Sequence, residues 1–196
     1  MLTALLAMSP WEITAALLGV AYVILAAKES LWTWVFGFAS TLIYTIIFWE
    51  GALFSSSLLN FYYMIMAIYG FYSWRKGKEN ESLSISSYSL KKNLKLISIA
   101  IFLSIIVGYL STTYTDAKLA YMDSFVLVFS VLATWMLTQK ILENWLYWLA
   151  IDSVAIVLYW HTGYLATVVL FMIYIILGVY AYLTWRKEFK FYKNGQ

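Results

Sequence analysis

The stretch Ile68–Lys76, with the sequence IYGFYSWRK, returns 111 residues later as Val179–Lys187, with the sequence VYAYLTWRK. The same offset carries Trp34 onto Trp145. A duplicated block in an apolar chain is typical of transporters built from internal repeats, because the interface between two related bundles provides a site near the bilayer midplane. The repeat therefore predicts both an architecture and the place of a binding site.

The composition places the chain in a lipid bilayer. Of its 196 residues, 63% are hydrophobic and only 12% are charged, and the mean hydropathy is +0.77. Such a chain has too little polar surface to cover a soluble globule of this size. Aromatic residues make up 20% of the chain; packing and interfacial belts account for most of them, and some rings remain to face a ligand.

Seven apolar stretches are long enough to cross about 30 Å of hydrocarbon as helices. They run over Trp11–Ala27, Trp32–Trp49, Ala52–Trp74, Asn93–Tyr114, Tyr121–Gln139, Asn144–Trp160 and Tyr164–Trp185. We interpret Met1 to Met8 as a short outer segment before Ser9 and Pro10, which have the residue types of an N-cap and a first helical position. The polar, serine-rich stretch between Arg75 and Lys92 predicts a flexible surface loop.

Basic residues lie almost entirely at one end of the predicted spans. One side receives only Lys118. The other side receives twelve: Lys28, Arg75, Lys76, Lys78, Lys91, Lys92, Lys95, Lys140, Arg186, Lys187, Lys190 and Lys193. By the positive-inside rule, this asymmetry predicts a cytoplasmic C-terminus and an outer N-terminus. Confinement of the charge to helix ends also argues against nucleic-acid binding.

Repeats and spans together predict an all-α membrane protein with seven transmembrane helices in a 3+1+3 arrangement. Because one helix separates the two three-helix blocks, the blocks are parallel and related by an axis along the membrane normal. The SWEET sugar carriers share this plan, which is an analogy of fold alone. We divide the chain into the outer segment and first repeat (1–74), the loop and linking helix (75–120), and the second repeat with a cytoplasmic tail (121–196).

Asp152 is the one acidic residue well inside a predicted span. An ionised carboxylate at this depth costs at least about 2.5 kcal/mol, so it should face the bundle interior or an aqueous cavity. No Lys or Arg lies well inside a span to pair with it, since Lys95 is at the very end of its span. The carboxyl is therefore protonated, bonded to neighbouring helices as a purely structural group, or available to a cationic ligand.

Trp145, Trp148 and Asp152 follow the spacing i, i+3, i+7, which places two indoles and the acid along one helical stripe. Aromatic faces attract a desolvated cation by about 0.5 to 2 kcal/mol each, and a carboxylate adds Coulombic attraction. Two tryptophans near a helix end also serve as belt or packing residues. The acid on the same face favours a binding site for a flat cation.

Other polar or aromatic residues inside the spans are candidates for the wall of the same site. Thr41 occupies the repeat position that matches Asp152. Side chains of this kind equally join one helix to another. The set comprises Asn60, Tyr44, Trp34, Thr41, Ser130 and Thr134.

Several functional classes are excluded by what the sequence lacks. There is no G-x-x-x-x-G-K-[ST] stretch for an ATPase and no cysteine for thiolate chemistry. His161 is the only histidine and lies in a predicted outer turn, so no histidine cluster can bind a metal or relay protons. We therefore predict neither an enzyme nor a metal or cofactor site.

The segment Glu143–Asp152, with the sequence ENWLYWLAID, resembles the PnuC/PnuT family of bacterial vitamin transporters. The stretch Tyr69–Trp74 resembles that family's earlier Tyr-Gly-aromatic-x-x-Trp signature, and the likeness covers the chain from about Leu17 onward. The resemblance implies the 3+1+3 fold, a bacterial inner membrane, and passive uptake of an unphosphorylated B vitamin or nucleoside that cytoplasmic kinases trap. It also implies that Trp145 and Trp148 stack on the vitamin ring.

The resemblance leaves two substrates, thiamine for PnuT members and nicotinamide riboside for PnuC members, and both are aromatic cations. Nicotinamide riboside members often carry Gln and Asn at positions matching Asn60 and Ala67, and some carry Asn at the position of Asp152. An amide lost at Ala67 removes a partner that a carboxamide or ribose would use, whereas a carboxylate suits thiamine. We therefore expect thiamine, with nicotinamide riboside as the alternative.

Two further functions remain open from the sequence. An unpaired acid inside a span is a candidate titrating group, which would make the protein a proton-coupled vitamin carrier. A non-transporting membrane sensor or assembly subunit would bind a ligand without moving it. The apolar outer faces of the predicted bundle also permit a homo-oligomer.

Overall fold

The computed structural model describes residues 9–50, 54–80, 83–115 and 119–194, and within these ranges the chain forms seven α-helices. Met1 to Met8 and Lys118 lie outside the described residues. The number of helices confirms the all-α prediction. The helices are α1 (Pro10–Ala27), α2 (Trp32–Glu50), α3 (Phe54–Asn80), α4 (Leu90–Tyr114), α5 (Ala120–Thr138), α6 (Asn144–Thr162) and α7 (Leu165–Asn194).

Helix α1 begins where the sequence predicts, because Ser9 and Glu12 form a reciprocal capping box. The Ser9 hydroxyl accepts from the N–H of Glu12 at 3.2 Å, and the N–H of Ser9 donates to Glu12 Oε2 at 2.6 Å. Pro10 occupies the first turn, where its missing N–H leaves no bond unmade. Two otherwise unpaired backbone groups are thus satisfied by local sequence alone.

Six of the described helices form a closed ring, and α4 lies outside it. In the first block α2 packs against α1 and α3, and in the second α6 packs against α5 and α7. The helices of the two blocks meet through two equivalent contacts, α1 with α7 and α3 with α5, while α4 packs mainly on α5. This arrangement is the predicted 3+1+3 plan, with α2 and α6 facing each other across the centre of the six-helix ring.

Five of the described helices are long and apolar enough to cross a membrane, judged by length and composition: α1, α2, α4, α5 and Thr167–Phe191 of α7. Helix α6 is less apolar because it carries Asn144, Asp152 and His161. At about 1.5 Å per residue its length is still about 28 Å, close to the thickness of a bilayer core. Its polar residues therefore need shelter inside the ring.

The two repeats share one end, which we call the basic end. It carries the α1–α2 turn, the α5–α6 turn, and the C-terminal ends of α3 and α7 with Arg75, Lys140 and Arg186. The helices of the two blocks run in the same direction, as a parallel repeat requires.

The prediction of a flexible surface loop between the repeats is wrong for most of its length. Helix α3 continues to Asn80, and the described residues before α4 are held against the bundle. Ser86 pairs with the α5–α6 turn, donating to the carbonyl of Lys140 at 3.0 Å and accepting from Leu142 at 2.8 Å. Ile85 beside it is buried. Polar composition did not reveal these bonds because their partners lie more than 50 residues away in sequence.

Glu143, the first residue of the ENWLYW motif, secures the same segment. Its carboxylate accepts from the N–H of Tyr88 at 3.0 Å and from the Ser87 hydroxyl at 2.5 Å. Tyr147, one turn further along α6, donates to Asn93 Oδ1 on α4 at 3.2 Å. Part of this motif therefore ties the linking helix to the second repeat.

Helices α2 and α3 approach each other most closely at Gly70, which lies against the indole of Trp34. A Cβ built on Gly70 would lie 2.5 to 2.6 Å from three atoms of that ring. Trp34 is 2% exposed, so it has little room to move. Gly178 on α7 differs, because a Cβ there would meet only the flexible end of Leu149, at 3.2 Å.

We expect Gly70→Ala to destabilise the protein by about 1 to 3 kcal/mol, since the added methyl group overpacks a rigid contact. The matched variant Gly178→Ala should leave stability unchanged or raise it, because alanine favours a helix by about 1 kcal/mol over glycine. Melting temperatures of the purified variants in detergent measure both effects. Equal melting temperatures for the two variants would contradict the close contact at Gly70.

Candidate functional site

Asp152 lies in the interior of the six-helix ring, near the middle of α6. The residue is 3% exposed, and its carboxyl is within electrostatic range of the phenols of Tyr63 on α3 and Tyr174 on α7. The Tyr63 hydroxyl also lies near the side chain of Ser130 on α5. Within the described part of the chain, no basic side chain forms an ion pair with Asp152. A carboxyl in this setting can accept hydrogen bonds or attract a cation.

Tyrosines at equivalent positions of the two repeats flank this carboxyl. The 111-residue offset relates Tyr63 to Tyr174 and Gly19 to Ser130. The Tyr174 hydroxyl lies 2.5 Å from where a Cβ of Gly19 would be, just as the Tyr63 hydroxyl meets Ser130. We call Gly19, Tyr63, Ser130, Asp152 and Tyr174 the central layer.

Four tryptophans form a second layer nearer the basic end, and we call it the tryptophan layer. Trp34 packs edge to face on Trp74, with ring centroids 5.1 Å apart, and Trp145 packs in the same way on Trp185 at 5.4 Å. Trp74 and Trp185, which are repeat equivalents, join the two halves at 6.1 Å. All four are at most 3% exposed. Seven residues separate Trp145 from Asp152 along α6, which puts the layers about 10 Å apart.

The two tryptophans predicted to stack on a ligand differ in exposure. Trp148 is half-buried and packs against both hydrophobic cores of the bundle. Trp145 is 3% exposed, with Trp185 packed against it. A ligand can therefore reach a face of Trp145 only if the tryptophan layer separates.

Trp148 has no aromatic equivalent in the first repeat, where Gly37 holds the matching position. The ring of Tyr22 covers that glycine, with Cδ2 at 2.8 Å from a built Cβ. The second repeat has Ala133 at the position of Tyr22. The large aromatic side chain at this place is thus Tyr22 on α1 in the first repeat and Trp148 on α6 in the second.

Two of the predicted wall residues bond to their own helices. The Thr41 hydroxyl donates to the carbonyl of Gly37 at 2.8 Å, and the Asn60 amide donates to the carbonyl of Ser56 at 2.9 Å. Such bonds use one donor of each side chain locally, whereas the Asn60 amide oxygen and the Thr41 hydroxyl oxygen can still accept from a ligand.

The remaining predicted wall residues lie around the central layer. Tyr44 stacks on Phe48 at 5.5 Å and is within electrostatic range of Tyr174. Thr134 is buried one turn from Ser130 on α5. Their part in binding remains a prediction.

Sequence reasoning missed Tyr63, Tyr174 and Gly19. Tyrosine is common in this chain, with 17 copies, so composition singles out none of them. The repeat offset was the usable signal, because it pairs the two tyrosines with each other and Gly19 with the already predicted Ser130.

Comparison with known proteins identifies the family of this chain. The family model described as "Nicotinamide mononucleotide transporter" matches residues 9–187. The chain belongs to this family. A structure described as "Crystal structure of the Vitamin B3 transporter PnuC" has a TM-score of 0.75 at 20% identity, covering 92% of this chain and 82% of that one. That likeness confirms the fold.

Two curated relatives in the same range of similarity are named for different substrates. One is the nicotinamide riboside transporter PnuC of Escherichia coli K12, 25% identical over 76% of this chain and 73% of the relative. The other is the riboflavin/roseoflavin transporter RibM of Streptomyces davaonensis, 25% identical over 86% of this chain and 81% of the relative. This member of the nicotinamide mononucleotide transporter family is therefore a multi-pass membrane transporter. Neither relative is named for thiamine, so the expected thiamine preference finds no support.

In this family member we expect Gly19→Ala to weaken ligand binding and lower the melting temperature, because the new methyl group displaces the Tyr174 hydroxyl. Overpacking of this kind costs about 1 to 3 kcal/mol. Adding Tyr174→Phe removes the clashing oxygen, so the double variant should recover part of the lost stability. Melting curves for the two single variants and the double variant give the coupling energy. Strictly additive effects would contradict the contact.

Proposed function

We propose that this protein mediates facilitated diffusion of nicotinamide riboside across a bacterial inner membrane. Of the two substrates that the sequence left open, this one has support from the relatives that carry the PnuC name. Net uptake would follow the gradient, with intracellular phosphorylation trapping the nucleoside. The protein would bind and move its substrate unchanged, with no catalytic step.

The buried carboxyl of Asp152 carries this proposal. A pyridinium ring is a flat cation, and Asp152 offers it a carboxyl that lacks an ion-pair partner among the described residues and can take up a negative charge beside a bound cation. Trp148 and the tyrosines of the central layer supply aromatic faces, which attract desolvated cations. Riboflavin has an uncharged ring system and would gain less from the carboxylate.

Alternating access around the central layer is the transport mechanism that the ring supports. Among the described helices, the two blocks pack against each other through α1 with α7 and α3 with α5, so a rocking motion has to rearrange two equivalent contacts. We keep residues 1–74, 75–120 and 121–196 as the units of this motion. By the charge asymmetry, the basic end faces the cytoplasm.

We expect nicotinamide riboside to quench tryptophan fluorescence saturably in purified protein, and Asp152→Asn to weaken its binding more than tenfold, since a paired charge contributes over about 1.4 kcal/mol. Asp123→Asn is the matched control, because Asp123 is an exposed acid near the opposite end of the bundle. Both variants should keep the wild-type melting temperature within a few degrees.

Thiamine and riboflavin are titrated in the same assay. Tighter binding of thiamine than of nicotinamide riboside would overturn the proposed substrate and restore the sequence-based expectation. Tighter binding of riboflavin, or unchanged affinity in Asp152→Asn, would remove the carboxyl from the recognition of a cation.

The absence of cysteine allows a direct test of orientation. Exposed Lys187 lies at the basic end and exposed Thr162 at the opposite end. In intact cells, an impermeant maleimide should label Thr162→Cys in the periplasm and spare Lys187→Cys until the inner membrane is permeabilised. The reverse pattern would invert the proposed topology.

A further inference from the structure

Glu29 and Lys140 occupy the same position in the two repeats and form an ion pair with each other. They are 111 residues apart, which is the repeat offset. Two equivalent residues that touch must lie next to the axis relating the halves. The pair therefore sits at the centre of the basic end, where the α1–α2 turn meets the α5–α6 turn.

The two turns have the same backbone geometry. Glu29 has a φ of 50° and Lys140 a φ of 51°, both in the left-handed region. The N–H of Glu29 donates to Ala26 and the N–H of Lys140 donates to Leu137, each at 3.0 Å. Left-handed backbone is unfavourable for residues other than glycine, so the turns hold these side chains toward each other at a cost in both repeats.

Further contacts connect the ion pair to the tryptophan layer. The Lys140 ammonium lies 4.9 Å from the ring centroid of Trp74, and the carboxyl of Glu188 on α7 is within electrostatic range of both Glu29 and Lys140. Lys140 is only 6% exposed. A single cation thus pairs with Glu29 and covers one indole of the layer.

The tryptophan layer contains both favourable and unfavourable interactions. Trp185 Nε1 donates to the carbonyl of Ala26 at 3.1 Å. The indole N–H groups of Trp34, Trp74 and Trp145 are buried and have no acceptor among the described residues. An unpaired buried donor is unfavourable, so separation of the rings would relieve these groups while the ion pair opposes it. A layer balanced in this way is suited to two states.

We propose that the Glu29–Lys140 pair is the latch of a gate at the basic end, and that the tryptophan layer is the gate itself. With the pair formed, the layer separates the central layer from the basic end. Breaking the pair lets the α1–α2 and α5–α6 turns move apart, which opens a path past Trp145. The inference rests on the proposed transport function, but the latch can be tested without any substrate.

The test follows maleimide labelling of a single cysteine at Leu137 in purified full-length protein. Leu137 is 1% exposed and belongs to the same core as the four tryptophans, and cysteine is smaller, so Leu137→Cys adds no clash. In this background, Glu29→Gln and Lys140→Gln should each label about tenfold faster, equivalent to about 1.4 kcal/mol in the opening equilibrium. The control Lys91→Gln, an exposed basic residue on α4 outside the ring, should label at the parent rate.

Charge exchange tests whether the ion pair itself holds the gate. Glu29→Lys combined with Lys140→Glu restores an opposite-charge pair at these equivalent positions. The new lysine then lies in the first repeat, and Trp185 is the repeat equivalent of Trp74, the ring that Lys140 contacts. The labelling rate of this charge-exchanged variant should return close to that of the Leu137→Cys parent. Slow labelling in both single variants, or fast labelling in the exchanged pair, would overturn the latch.

Melting temperature and gel filtration separate gating from unfolding. A variant that labels quickly while keeping the parent melting temperature and elution volume supports the latch. Fast labelling that appears only together with lost folding overturns it. Uptake of nicotinamide riboside into liposomes by the same variants then tests the proposed function independently. If neither the parent nor any variant takes it up, the proposed substrate is wrong, but the labelling result for the latch still holds.

Discussion

The contact between Trp74 and Trp185 holds the two halves of the bundle together at the basic end. These rings are repeat equivalents 6.1 Å apart, and each packs edge to face against a second tryptophan of its own block. Aromatic pairs of this type contribute about 1 kcal/mol each beyond area burial. Trp34 lies between Trp74 and Gly70, and it fits there only because position 70 has no side chain. The close approach of α2 to α3 therefore depends on the same group of tryptophans.

Duplication gives a near-symmetric scaffold, and the proposed site lies where the two repeats depart from symmetry. Three departures lie close together: Ser130 replaces Gly19, Trp148 replaces Gly37 and Asp152 replaces Thr41. In each case the second repeat carries the larger or more polar group. The hydroxyl, the half-buried indole and the carboxyl therefore all come from α5 and α6, whereas the first repeat has Gly19, Gly37 and Thr41 at the equivalent positions.

The sequence predicted features that depend on local or periodic information. The start of α1 followed from Ser9 and Pro10, and the ring followed from the repeat and the span lengths. It failed where distant partners decide the outcome. The polar segment before α4 is fixed by Lys140 and Glu143, which no local pattern reveals. Helical spacing placed Trp145 inside the ring but carried no sign that Trp185 packs against it.

A carrier of this design has charged groups at two depths, Asp152 in the central layer and the Glu29–Lys140 pair at the basic end, and their effects on the gate have to balance. A cation beside Asp152 lowers the energy of the occupied protein, but it shifts the gate only if it binds the open and closed states unequally. In the proposed mechanism Trp145 provides that inequality, because it belongs to both the stripe that ends at Asp152 and the buried tryptophan layer. A ring that stacks on Trp145 must displace Trp185 from it, so substrate binding and the ion pair act on the same indoles in opposite directions. Facilitated diffusion requires the two effects to be of similar size, since a much stronger latch would trap the substrate and a much weaker one would leave the gate open.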